Sequence, residues 1–468
     1  MKIKIYIVSL ILIFLTVPTL TMAQDSTTIV AETAIATVST DSVAAATTEG
    51  IEEVAATPLD SGNTAWIIVA TILVLMMTIP GLALFYGGLV RSKNILSIIM
   101  QCFILVGVVT LLWFSFGYSW VFGTDFNDSP IGFFIGGFDK IFLNGITIDT
   151  IGSTGIPEII FALFQCMFAV ITPALIIGAF AERIKFSGYL VFITLWVILS
   201  YFPMAHWVWG GGWLASLGAI DFAGGTVVHI NAGISALVMA ILIGKRKGYK
   251  PNRPVTPHNI PFVFIGAAML WLGWFGFNAG SGLAADGLAT RAFLVTHIAA
   301  ATALVTWITI DWMRNKRPTI VGASTAAVAG LVAITPAAGT AGIFGAIAIG
   351  FISAFICFFM VAVVKEKLGY DDSLDAFGVH GMGGIIGSIL TGVFIVPGGL
   401  KGIGLTDAFG GWEQIGIQTI ATIFTIAFSA ILTYILFKIV DRTVGIRITP
   451  NIEEEGLDVY EHGESAYN

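Results

Sequence analysis

Two short stretches of this chain are alike: Asp221-Phe-Ala-Gly-Gly-Thr-Val-Val-His229 and Asp375-Ala-Phe-Gly-Val-His380-Gly-Met-Gly-Gly. Each stretch has an aspartate, then small glycine-rich steps, and then a histidine within a long apolar segment that has no Lys, Arg or Glu. An ionisable side chain at membrane depth is costly unless it faces a cavity or a partner, so it indicates a functional site. The two histidines therefore predict a polar pathway through an otherwise apolar protein.

The composition places the chain among polytopic membrane proteins. Hydrophobic residues make up 56% of it and charged residues only 11%, whereas soluble domains carry about 25% charged residues. Its three cysteines lie in apolar segments without the spacing of a metal site or a disulfide framework.

The N-terminus resembles a secretory signal peptide over residues 1–23, with Lys2 and Lys4 before an apolar stretch and a small-residue cleavage site. An uncleaved first membrane helix is the alternative. Residues 24–63 are rich in Ala, Thr, Ser and acidic residues, which predicts a disordered, exported N-terminal tail.

Apolar runs of about 20 residues, the length that crosses a bilayer core, then recur along the chain. Eleven transmembrane helices are predicted within a membrane domain spanning 64–440, followed by a cytoplasmic C-terminal tail over 441–468. The predicted spans are 64–88, 96–121, 158–182, 188–207, 225–244, 260–280, 288–310, 319–337, 341–364, 376–397 and 412–438.

The distribution of basic residues fixes the orientation. Of the 22 Lys and Arg residues, two lie in the predicted signal peptide and only Lys140, Arg291 and Lys401 lie in predicted outer loops. All the others fall in inner loops or at the C-terminal end if the mature N-terminus is outside, in the periplasm, and the C-terminus is cytoplasmic. The chain is then predicted to be a multi-pass protein of the cell inner membrane.

The odd number of spans relates the two histidine stretches to each other. Spans 5 and 10 begin at opposite faces, yet each carries its histidine near its own start. Spans 1–5 and 6–10 are therefore predicted to be inverted repeats around a central pore, an arrangement that brings equivalent elements together near the membrane midplane.

Longer motifs resemble the ammonium transporter (Amt/Mep/Rh) family, in its bacterial Amt-type form, from about residue 65 to the C-terminal tail. They are Phe-Tyr-Gly-Gly-Leu-Val-Arg-Ser-Lys-Asn at 85–94, Trp209-Gly-Gly-Gly, Asp221 to Gly233, Trp274-Phe-Gly-Phe-Asn-Ala-Gly-Ser281, and Asp375 to Gly381. The resemblance implies a homotrimer in which each subunit has its own narrow hydrophobic pore. The longer exported N-terminal tail departs from the plainest family members.

The resemblance also implies where ammonium binds. Trp209, Ser281, Phe164 and Phe168 would form an outer recruitment site, where an aromatic face attracts the cation and the serine hydroxyl accepts an N–H bond. Phe168 and Phe277 would form the hydrophobic gate below it, which excludes water and favours neutral ammonia.

His229 and His380 would then line the pore and relay a proton. Two neighbouring buried imidazoles disfavour double protonation, and a pair that shares one proton can bond ammonia and pass a proton on. A metal site is disfavoured because no third ligand matches them. Asp221 and Asp375 are expected to give structural support at the start of spans 5 and 10 without binding the ion.

The acidic tail contains Glu455-Gly-Leu-Asp458 and His462-Gly-Glu464, which resemble the family's C-terminal regulatory region. This implies a possible partner, a PII-type nitrogen regulatory protein, at the cytoplasmic face near the basic loop 245–253, and a role in nitrogen assimilation. No nucleophile–base pair, phosphate loop, metal set or cofactor motif indicates an enzyme.

The predicted function is therefore transport of ammonium as ammonia, with the proton either following through the histidines or left outside. Two alternatives remain open. One is a passive Rh-like gas channel, and the other is an ammonium sensor that signals to a cytoplasmic partner, although the inner tail of about 30 residues holds no output domain.

Overall fold

The computed structural model describes residues 57–250, 255–395 and 408–467. The predicted signal peptide and residues 24–56 of the predicted exported tail lie outside the described residues.

The described chain is mostly helical, which confirms the all-α fold class. Its apolar helices are α1 Ser61–Leu89, α2 Ser92–Phe122, α3 Glu158–Phe180, α4 Phe186–Ser216, α5 Gly225–Ile243, α6 Ile260–Gly280, α7 Gly287–Asn315, α8 Ile320–Ala337, α9 Ile343–Leu368, α10 Phe377–Val393 and α11 Trp412–Thr443. Ten of these are long and apolar enough to cross a membrane, and α10 is shorter. The count of eleven spans therefore stays a prediction.

The remaining elements are short. Pro130–Phe133 and Ile141–Leu143 form 3-10 turns between α2 and α3. The strands β1 Phe394–Ile395 and β2 Ala408–Phe409 pair antiparallel after α10. Beyond α11, α12 spans Pro450–Glu455 and a final helical turn spans Asp458–His462.

The first helix begins three residues before the predicted start of the membrane domain at residue 64. The helix α1 begins at Ser61, and the Asp60 side chain caps it by accepting the Asn63 N–H at 2.8 Å. The Asp60 backbone N–H also bonds the carbonyl of Gly155, between α2 and α3. Residues 57–63 therefore belong to the ordered membrane domain.

The two five-helix halves pack in the same way. In the first half, α3 packs against α1, α2 and α5; in the second half, α8 packs against the equivalent helices α6, α7 and α10. Of the ten long helices, α3, α5 and α8 bury the largest shares of their surfaces. This repeated pattern supports the predicted pair of repeats, and an odd number of helices in each half gives them opposite directions through a membrane.

Buried ion pairs join four of the predicted inner loops. Glu182, after α3, contacts Arg91 and Arg246 at 2.9 Å each, and Arg246 contacts Asp371, after α9, at 2.8 Å. Burial raises the pKa of each carboxyl, but the guanidinium charges and hydrogen bonds outweigh it and lower the pKa of both Glu182 and Asp371. The loops after α1, α3, α5 and α9 thus lie at one face, as the distribution of basic residues predicts.

The C-terminal segment packs against the same face. The Asp458 carboxylate accepts the N–H groups of Leu96 and Ser97 at 3.0 and 2.9 Å, and the Leu457 N–H bonds the Asn94 side chain at 2.9 Å. The two Asp458 contacts cap the first α-helical turn of α2, and the Leu457 contact ties the same segment to the residue before that turn.

Two glycines bring α5 and α10 into close contact. Gly233 lies four residues after His229, and Gly384 lies four residues after His380. A methyl group on Gly233 would lie 2.2 Å from the Gly381 nitrogen, and one on Gly384 would lie 3.0 Å from the His229 Cβ. Each histidine helix therefore carries a glycine one turn later that makes room for the other helix.

We predict that Gly233→Ala destabilises the fold far more than Gly384→Ala. The Gly233 methyl group meets backbone atoms that cannot rotate away, and overpacking of this kind costs about 1–3 kcal/mol or more. Gly416→Ala in α11 is the matched control, because open space surrounds Gly416 and helix propensity favours alanine there by up to about 1 kcal/mol. Thermal unfolding in detergent measures all three variants, and equal stability of the Gly233 and Gly416 variants would contradict the packing described.

Candidate functional site: two histidines beneath an aromatic constriction

The two histidines meet inside the protein. His229 lies in the π-helical turn Gly225–Ile230 at the start of α5, and His380 lies in the π-helical turn Phe377–Gly381 at the start of α10. Their Nδ1 atoms are 3.4 Å apart, and their rings are nearly parallel with centroids 5.4 Å apart. Such a contact is a hydrogen bond only if one Nδ1 carries a proton and the other does not.

A narrow cavity adjoins the pair. The Nε2 atom of His229 is buried and has no hydrogen-bond partner among the described residues. Apart from the two histidines, the cavity is lined by Met77, Leu82, Phe85, Ile171, Leu175, Val228, Leu270, Trp274, Phe277 and Val328. The two imidazoles are therefore the ionisable groups of an apolar cavity.

Trp274 fixes the other side of His229, and sequence reasoning gave it no role. Its ring stacks on the His229 ring at 5.5 Å and 15°. Its Nε1 donates to the Thr335 hydroxyl at 2.8 Å, at the Thr335-Pro336 bend of α8. The sequence spacing could have indicated this place. Residues three apart on a helix share a face, and Trp274 precedes the predicted gate residue Phe277 by three.

The rings of the two predicted gate residues contact each other close to His229. The rings of Phe168, from α3, and Phe277, from α6, have centroids 4.4 Å apart, and the Phe277 ring lies 6.1 Å from the His229 ring. Both phenylalanines are fully buried. The aromatic pair thus separates the histidine cavity from the residues predicted to recruit ammonium.

The predicted recruitment residues adjoin the gate on its other side. The Phe168 ring contacts Phe164 at 5.1 Å and Trp209 at 5.7 Å. The Ser281 hydroxyl, at the end of α6, donates to the Phe277 carbonyl at 2.8 Å. Its proton is therefore used within the helix, while its oxygen lone pairs can accept from a ligand.

Asp221 braces the start of α5. Its carboxylate accepts the backbone N–H groups of Gly224, Gly225, Thr226 and Val227 and the Thr226 hydroxyl. Its backbone carbonyl accepts the Trp209 indole N–H at 2.9 Å. One residue therefore orients both the helix that carries His229 and the aromatic ring at the mouth.

The structure assigns the equivalent geometry in the second half to Asp372 and not to Asp375. Asp372 accepts the N–H groups of Ala376 and Phe377 at 3.1 and 2.8 Å, whereas the Asp375 carboxylate pairs with Lys365. The spacing could have shown this, because Asp372 precedes His380 by eight residues, as Asp221 precedes His229.

The fold and this site define a polytopic helical membrane protein with an apolar cavity beside two buried histidines. A family model described as Ammonium Transporter Family matches residues 65–467. The chain is 49% identical to an ammonium transporter of Aquifex aeolicus, over 88% of this chain and 94% of the relative, and 43% identical to ammonium transporter Amt1 of Archaeoglobus fulgidus, over 87% and 100%. The chain belongs to the ammonium transporter family.

Solved structures agree with this assignment. The crystal structure of Candida albicans Mep2 matches with a TM-score of 0.75 and 35% identity, over 84% of this chain and 87% of that one. A structure described as Sensor Amt Protein matches with a TM-score of 0.78 and 32% identity, over 86% and 98%. Relatives named ammonium transporters are transport proteins and not enzymes.

We predict that Asp221→Asn impairs both folding and transport. The new amide NH₂ would face backbone donors in a buried site, and an unsatisfied buried polar group costs about 1–3 kcal/mol. The control is Asp139→Asn, which replaces an exposed carboxylate that accepts the Thr124 N–H and should cost less. Unfolding in detergent together with ammonium uptake in vesicles tests both variants, and an Asp221 variant indistinguishable from the Asp139 variant would refute the bracing role.

Proposed function

We propose that this chain transports ammonium, recruiting the cation outside, deprotonating it and conducting ammonia past His229 and His380. The observation that carries the proposal is the pair of touching imidazoles in an apolar cavity, closed from the mouth by the Phe168 and Phe277 rings.

Recruitment depends on Trp209 and Ser281, the two half-buried residues of the predicted recruitment site. An aromatic face attracts a cation by about 0.5–2 kcal/mol, depending on how far the cation is desolvated. Trp209 offers such a face next to Phe164 and Phe168, and the Ser281 oxygen offers an acceptor for an ammonium N–H. Because the Asp221 carbonyl holds the Trp209 indole, the aromatic face is already oriented before the cation arrives.

The gate selects the neutral species. The Phe168 and Phe277 rings are in contact, so a hydrated cation would have to leave its water to pass between them. Apolar constrictions of this kind exclude water. Ammonia passes at a lower desolvation cost because ammonium has given its proton, and with it the charge, to water on the outer side of the gate.

The histidine pair then binds ammonia and shares a proton between its rings. The unpartnered Nε2 of His229 is available to ammonia in the cavity, and the Nδ1–Nδ1 contact joins the two rings into one proton-sharing unit. Imidazole is the side chain that exchanges protons near neutral pH. A proton that moves through the pair makes transport electrogenic, whereas a proton left outside makes it neutral.

The remaining parts of the proposal concern the setting in the cell. The chain is exported with a cleaved signal peptide, assembles as a homotrimer in the inner membrane, and has its N-terminus in the periplasm and its C-terminus in the cytoplasm. The docked C-terminal segment and the basic loop after α5 form the surface for a PII-type nitrogen regulatory protein. The single face shared by the loops after α1, α3, α5 and α9 supports this topology.

The test is current across a bilayer that contains the purified protein, after addition of ammonium. We expect a saturable current in the wild type and its loss in His229→Ala and His380→Ala. His297→Ala is the control, because this histidine of α7 is exposed and does not line the cavity.

The other outcomes decide between the alternatives. Ammonia flux without current would show a neutral channel and would refute the proton relay. Neither current nor flux from folded protein would refute transport and favour the sensor function that the similarity to a sensor Amt structure suggests.

A further inference from the structure

Two side chains of α11 hold the loop that leads into the site. Gln414 donates to the Gly218 carbonyl at 3.1 Å and to the Gln418 Oε1 at 3.3 Å, and the buried amide of Gln418 holds the end of the loop. The Gln418 side chain is 1% exposed. Its Oε1 accepts the Ile220 N–H at 2.7 Å, and its Nε2 donates to the Ile220 carbonyl at 2.8 Å and to the Ser388 carbonyl at 3.0 Å. Both hydrogens of the amide are therefore used, and the side chain pairs with both polar groups of one residue as a neighbouring β-strand would.

The residue that Gln418 holds lies directly before Asp221. Because Ile220 is fixed through both its N–H and its carbonyl, the backbone position of Asp221 is fixed as well. Asp221 in turn accepts the Trp209 indole N–H through its carbonyl and caps α5 through its carboxylate. The orientation of the recruitment ring therefore depends on Gln418 through two hydrogen-bonded steps.

The third contact reaches the second histidine helix. Ser388 lies in α10, eight residues after His380. The same amide therefore connects the helix of His380 with the loop that precedes the helix of His229. The helix α11 belongs to neither five-helix half, and its Gln418 bonds Ile220 in the first half and Ser388 in the second half.

We infer that Gln418 is a positioning residue for ammonium recruitment, acting through Ile220 and Asp221 on the Trp209 ring. This inference rests on the proposed function. It goes beyond that function because it places control of ammonium binding in α11, which contributes no residue to the cavity lining.

The test uses Gln418→Leu, which has nearly the same volume but cannot form hydrogen bonds. The loop before α5 would lose the bonds that fix Ile220, so the Asp221 carbonyl would hold the Trp209 indole less firmly in its orientation. We expect the half-saturating ammonium concentration to rise about tenfold, the equivalent of about 1.4 kcal/mol, while the maximal current changes by less than about twofold. Discrimination against methylammonium should fall in the same variant.

Two conservative variants separate this role from a general loss of stability. Gln418→Glu, as a protonated acid, keeps the acceptor for the Ile220 N–H and donates to one carbonyl, so its half-saturation should lie between wild type and the leucine variant. Gln418→Asn is one methylene shorter, so it cannot reach Ile220 and should behave like leucine. The matched control is Gln101→Leu, which replaces an equally buried glutamine of α2 whose side-chain amide donates to the Ser97 hydroxyl.

The outcomes separate the inference from the proposed function. Absence of ammonium flux and current in the wild type refutes the function itself. If the wild type transports, an unchanged half-saturation in folded Gln418→Leu, or an equal rise in Gln101→Leu, overturns the positioning role. If Gln418→Leu does not fold, wild-type half-saturation in both the Asn and Glu variants overturns it.

Discussion

The structure depends on a contact between two ionisable rings inside an apolar membrane protein. Burying polar groups away from water is unfavourable unless they find partners, so the His229–His380 contact survives only because neighbouring elements hold the rings together. Gly233 and Gly384 allow the helices to approach, and Trp274 packs against the outer face of His229. The site is thus a product of helix packing more than of any loop.

In both halves an aspartate caps the start of the histidine helix, but the number of hydrogen bonds that it accepts differs. Asp221 accepts four backbone N–H groups and one hydroxyl, whereas Asp372 accepts two backbone N–H groups. Burial, together with the nearby charge of Asp375, raises the pKa of Asp372 to about 7. Asp221 therefore holds the start of α5 with more hydrogen bonds than Asp372 gives to the start of α10.

The sequence predicted the apolar spans, which depend on the length of an apolar run, and the two histidines, which occur in similar stretches. Spans of about 20 apolar residues are visible without tertiary information, and His229 and His380 are conspicuous because no other charge accompanies them in their segments. The predicted gate and recruitment residues came from the family resemblance, and the structure brings Phe164, Phe168, Trp209 and Phe277 into one chain of ring contacts. Their roles in binding and gating stay predictions.

Other features could not be read from local sequence. Gln418 and Ile220 are 198 positions apart, and no spacing rule connects a glutamine of α11 to a loop before α5. Trp274 owes its place to a hydroxyl 61 positions away. The start of α1 at Ser61 depends on the Asp60 cap, and hydropathy patterns do not locate such a cap because they change gradually along the chain.

The most direct test of the central claim is ¹⁵N NMR of histidine-labelled protein in lipid bilayers at neutral pH. Only 6 histidines are present, so His229→Gln and His380→Gln can assign the two signals. The account predicts one ring protonated at Nδ1 and the other unprotonated at Nδ1, with a coupling or exchange between them that disappears when either residue is replaced. Two rings with the same Nδ1 protonation state, each unaffected by removal of the other, would contradict a proton-sharing pair.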